Sequence, residues 1–72
     1  MNEDVKFTLS YWGININNIS EADKNLIKEE VIHQIEILAS LTDNYFFINS
    51  VIGESRVINP KEILEEVKKL VK

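Results

Sequence analysis

Cysteine is absent from the sequence, which excludes a disulfide framework, a thiol nucleophile and a thiolate metal site and is compatible with a reducing compartment. Glycine occurs twice and proline once, and no glycine-rich turn precedes a helix-forming stretch, so a phosphate cradle is not encoded. Histidine occurs once, as His33. A Ser–His arrangement would have to be built around it, and Ser10, Ser20, Ser40, Ser50 and Ser55 stand in no recognisable motif. No apolar run is long enough to span a membrane, and the opening Met1 to Asp4 is acidic at its end rather than apolar. Neither a signal peptide nor a membrane span is therefore expected, and the expected location is cytoplasmic.

Positive charge is also scarce. Eight Lys and Arg face twelve Asp and Glu, a formal net charge of −4, which argues against a direct nucleic-acid binder that needs a basic face. Lysine supplies all the basic residues but Arg56, and isoleucine and asparagine are frequent. That bias suggests AT-rich coding, of the kind found in low-GC bacteria and their phages or plasmids. At 72 residues the chain has room for a single small domain over 1–72, with 1–4 expected to fray. A chain of this size buries only about 60% of its unfolded surface.

What is present is organised around Ser20 to Leu41. Ser20 suits an N-cap, with Glu21 and Asp23 placing negative charge in the first turn. Asp23 is shorter than the Glu or Gln a capping box prefers, so reciprocity there is expected to be approximate. No Gly or Pro interrupts the run up to Leu41. At about 100° per residue, Leu26, Ile27, Val31, Ile35, Ile37, Leu38 and Leu41 spread over a broad apolar arc, extended by Ile32 and Ala39. One sheet face needs only a stripe of ~100°, so the surplus is expected to meet another layer or a partner.

Before this helix, Val5 to Tyr11 alternates apolar and polar residues, predicting a strand with Val5, Phe7, Leu9 and Tyr11 on its dry side. Trp12 then falls on the wet side. After the helix, Thr42 to Asn44 reads as a turn and Tyr45 to Ile52 as a strand. Gly53-Glu54 suits a two-residue hairpin turn, and a three-residue loop ending at Ser55 suits as well; the two choices present opposite faces of the return strand Arg56 to Ile58. Asn59-Pro60 marks a helix start, followed by an apolar stripe of Ile63, Leu64, Val67, Leu70 and Val71. The order β-α-β-β-α predicts an α+β two-layer sandwich, a three-stranded sheet with two helices on one face.

Candidate sites follow from this layout. Glu29, His33 and Glu36 share a helix face and could hold a divalent ion weakly, although solvated helix surfaces carry such groupings routinely. Carboxylates on both helices could imitate nucleic-acid phosphates, but interspersed lysines dilute the field. Tyr11 and Trp12 are residue types enriched at binding hot spots. Either Tyr45 or Phe47 is expected to point away from the helices, giving the sheet an apolar outer side. Tyr11, Trp12, Tyr45, Phe47, Ile32, Glu29, His33 and Glu36 are thus the candidate partner-binding residues; no catalytic, cofactor-binding or metal-binding residue is assigned. The composition points to a non-catalytic protein-binding module, a small acidic regulator or inhibitor that occludes a protein partner. A homodimer or larger self-assembly with a structural role is the alternative.

Overall fold

A computed structural model describes residues 3–72. Helix α1 is Glu3–Ser10; helix α2 runs over 21–41; strands β1 (Tyr45–Asn49) and β2 (Glu54–Ile58) form an antiparallel hairpin; helix α3 is Pro60–Leu70. The protein is α+β, as the composition of its segments implies, but the sheet has two strands among the described residues. The segment expected to be the first strand is helical. Its apolar residues do not need the period of two: Val5, Leu9 and the half-buried Trp12 recur at helical spacing, and Thr8 is buried beside Val5 and Leu9. The Thr8 hydroxyl donates to the Asp4 carbonyl at 2.7 Å, which removes the cost of enclosing a hydroxyl. Of residues 1–4, where fraying is expected, two are among the described residues. Glu3 and Asp4 belong to α1, and Asp4 pairs with Arg56 at 3.1 Å; the expectation for residues 1–2 lies outside the described residues.

Helix α1 ends in a Schellman motif. The Ile14 N–H donates to the Leu9 carbonyl at 3.1 Å and the Gly13 N–H to the Ser10 carbonyl at 3.0 Å. Gly13 has φ +71°, a left-handed conformation open to glycine without steric cost. Leu9 and Ile14, the residues flanking this cap, are both buried in the core. The chain thus turns sharply at Gly13 rather than continuing as an extended strand.

Helix α2 begins as its sequence requires. The Ser20 Oγ accepts from the Asp23 N–H and an Asp23 carboxylate oxygen accepts from the Ser20 N–H, both at 3.1 Å, so the shorter Asp completes the capping box. The helix widens over Ile27–Val31 into a π turn, closed by the Ile32 N–H donating to the Ile27 carbonyl. In a regular helix of about 3.6 residues per turn, residues four apart drift around the axis by roughly 40°. The wider turn opposes that drift, so Ile27, Val31 and Ile35 all remain on the buried side. Helix α3 starts at Asn59, whose Oδ1 accepts from the Lys61 and Glu62 N–H groups at 3.1 and 3.4 Å, with Pro60 in the first turn.

The core joins all elements: Val5, Phe7 and Leu9 from α1, Ile27, Val31 and Ile35 from α2, Phe47 and Ile58 from the hairpin, and Ile63 and Val67 from α3. The C-terminal half of α2 packs on α3, and α1 packs on both α3 and β1. The expected pair of helices on one sheet face is therefore replaced by a different cover. Helix α1 itself lies against the inner side of the hairpin, where the Phe7 and Phe47 rings meet edge-on at 5.4 Å and the Arg56 guanidinium sits 5.5 Å above Phe7.

The hairpin register is Tyr45↔Ile58 through Asn49↔Glu54, leaving Ser50 to Gly53 as a four-residue connection, longer than either turn the sequence suggests. Asn49 explains it. Fully buried, its Oδ1 accepts from the Val51 and Ile52 N–H groups at 3.1 and 3.4 Å, an Asx-type turn that begins the loop. Its Nδ2 donates to the Phe7 carbonyl at 2.9 Å. That carbonyl lies in the last turn of α1, where the Tyr11 N–H goes to Thr8 instead, so a side chain supplies what the helix end does not.

Replacing Asn49 with Ala leaves a buried carbonyl without this donor and is expected to cost about 2 kcal/mol in urea unfolding. Gly13→Ala is expected to cost about 1 kcal/mol through backbone strain alone, since among the described residues no atom beyond its chain neighbours lies within 4 Å of the added methyl. Val31→Asp, at a position with no exposure, is expected to abolish cooperative unfolding.

Candidate functional site

Strand alternation with Phe47 and Asn49 turned inward forces Phe46 and Ile48 outward. Phe46 stands opposite Val57 and Ile48 opposite Ser55, so the outer side of the hairpin carries Phe46, Ile48 and Val57 at 59%, 64% and 60% exposure. Val51 and Ile52 continue the apolar character into the loop, both exposed. The sequence-level choice of Tyr45 or Phe47 as the outward residue is corrected here. Phe47 is a core residue, and Tyr45 lies on the same side, its ring 6.2 Å from that of Phe47. The turn length decided the matter, because moving the pairing by one residue exchanges the two faces.

Beside β1 an open groove of about 290 Å³ separates the hairpin from the C-terminal half of α2. Gln34, Ile37 and Leu38 form its α2 wall, at helical spacing. Tyr45, Phe47 and Ile48 form the wall from β1, and Tyr11 and Trp12 close it from the end of α1. The aromatic rings are locked edge to face: Tyr11 to Trp12 at 5.1 Å and Tyr11 to Phe47 at 5.3 Å. Such pairs contribute beyond simple area burial and hold the rings in defined orientations. Four of the expected binding residues, Tyr11, Trp12, Tyr45 and Phe47, are thus brought together at one groove, with Tyr11 and Tyr45 exposed and Trp12 half-buried.

The other four are elsewhere or solvated. Ile32 is half-buried and packs on the core. Glu29, His33 and Glu36 are exposed on α2, and among the described residues no grouping of three His, Asp or Glu side chains could hold a metal ion. The surplus apolar arc of α2 is real at its C-terminal end, where Ile37 and Leu41 are 43% and 75% exposed. Phe46, Ile48 and Val57 are the surface residues that sequence reasoning missed. Their signal was present in the alternation, but reading it required the hairpin register.

Arg56 faces the opposite way, into the seam between the hairpin and α1. Hydrogen bonds with Glu54 and then Asp4 raise its pKa further above its ordinary value, and it remains a guanidinium clamp between β2 and α1. A second, more polar hollow lies by Lys6, Ser10 and Asn15 to Asn17. No helix among the described residues is long and apolar enough to cross a membrane. Comparisons with protein-family models, curated proteins and solved structures found no match to this chain, so its own geometry carries the functional argument.

Phe46→Lys is expected to change unfolding stability by no more than about 0.5 kcal/mol, as exposed positions do. Phe47→Ala, one residue on, is expected to lose about 3 kcal/mol. Parallel urea titrations of the two variants check this division of β1 into an inner and an outer face.

Proposed function

We propose that this protein is a non-catalytic binding module that acts by covering a surface of another protein, in the manner of a small acidic regulator or inhibitor. One observation carries the reading. Leu41, Ile37, Tyr45, Ile48, Phe46 and Val57 are large apolar side chains exposed on the C-terminal end of α2 and the adjoining hairpin, and contiguous exposed apolar surface on a small protein marks an interaction site. The aromatic groove beside them supplies residue types that dominate binding energetics at interfaces. Its volume lies at the low end of small-molecule pockets, which begin at roughly 300 Å³, and suits an inserted side chain better than a cofactor.

The self-assembling alternative uses the same surface and is separated by sedimentation at micromolar concentration. A monomer is expected, and a tight dimer dissociated by Phe46→Lys would replace the regulator reading with an assembly role. The direct test is affinity capture from the native cellular extract with the wild-type chain and with Ile48→Lys. A specific protein retained by the wild type and lost with the folded variant is expected. Capture that ignores substitutions at Phe46, Ile48 and Ile37 alike would refute this use of the surface.

A further inference from the structure

We infer that the partner segment docking here is an extended, basic and apolar stretch of another protein that adds to β1 as a third strand; this rests on the binding-module reading and specifies its partner. A two-stranded sheet has two outer edges, each presenting backbone groups in search of a partner. Apart from the hairpin's own ladder, no backbone-to-backbone hydrogen bond among the described residues involves Tyr45–Asn49 or Glu54–Ile58. The two edges differ in protection. Strand β2 carries Glu54 and Arg56, and charges on an edge discourage pairing. Strand β1, Tyr-Phe-Phe-Ile-Asn, has no charge, proline or bulge. It is also the strand that borders the groove, through Tyr45, Phe47 and Ile48. A strand added there would alternate its side chains between that groove and the outer face beside Phe46 and Ile48.

Charge selects the chemistry of the incoming segment. Between Lys28 and Arg56 the chain contains no lysine or arginine but carries Glu29, Glu30, Glu36, Asp43 and Glu54. Asp43 is paired with Lys61 at 2.9 Å and Glu54 with Arg56 at 2.9 Å. Glu29, Glu30 and Glu36 make no ion pair among the described residues. On α2, Glu30 stands one turn before Gln34 of the groove wall and Glu29 one turn before His33, whereas Glu36 turns away from Gln34 and Leu38. A segment with lysine or arginine along one side meets Glu30 and, beside it, Glu29. A second copy presenting the same edge would bring like charge to like, which costs affinity.

The test uses two short synthetic peptides, one alternating lysine with valine and one alternating glutamate with valine. Binding is followed by the emission of Trp12, the sole tryptophan, and by hydrogen exchange of the amides of residues 45–49. The lysine peptide is expected to bind saturably, to shift Trp12 emission and to slow exchange in β1. Binding is expected to weaken about tenfold in Glu29→Lys/Glu30→Lys, whose sites are exposed, and again at high salt, as charge-steered contacts do. Equal binding of the glutamate peptide, binding without protection of β1, or no binding of the lysine peptide each overturns the inference. None of these touches the binding-module reading, which falls only if capture of a native partner survives the surface substitutions.

Discussion

The buried side chain of Asn49 ties together segments 42 residues apart. Its amide nitrogen satisfies a carbonyl in the last turn of α1, and its amide oxygen shapes the loop that sets the strand register. A primary amide offers both a donor and an acceptor, so one enclosed residue serves both ends without a leftover polar atom. Leucine would fill the space but satisfy neither; aspartate would oppose the carbonyl. Because register decides which residues face inward, this contact governs where Phe46, Phe47 and Ile48 point, and so where the apolar surface lies.

That constraint explains why the hairpin survives with only two strands. An isolated two-stranded ribbon is marginal in water. Here its inner side is closed by α1 through Phe7 against Phe47, the Asn49 bond, and the Arg56 clamp to Asp4. Among the described residues nothing of comparable extent covers its outer side, where Phe46, Ile48 and Val57 remain exposed. A small chain with limited interior has placed aromatic and β-branched residues on a surface, at a cost in solubility. The aromatic groove lies between the C-terminal half of α2 and the uncharged strand β1, with residues of both lining it.

Charge is distributed to the same end. The basic residues are concentrated before residue 29 and after residue 55, so the walls of the groove lie within the acidic stretch while the lysines of α3 lie on another element. The Glu29–His33–Glu36 face, considered for metal binding in isolation, is an exposed acidic stripe on the same helix.

Helix α2 with its capping box, the Asn59-Pro60 start of α3, the hairpin's existence and the α+β class were determined by sequence alone, since caps, proline and apolar periodicity are local effects. Helix α1 was not: Val5 to Tyr11 carries strand alternation and a helical stripe at once. The choice depended on burying Thr8 and on the cap at Gly13, with Leu9 and Ile14 meeting in the core. The outward face of β1 was equally beyond local reading, because the loop length and register go with the bond from Asn49 to the distant Phe7 carbonyl. Tyr11, Trp12, Tyr45 and Phe47 were recognisable as binding-type residues, but only the folded chain brought them to one groove and told the exposed Phe46, Ile48 and Val57 from the enclosed Phe47. A period of two says that neighbours face opposite ways; which of them faces water is set by a contact 42 residues distant.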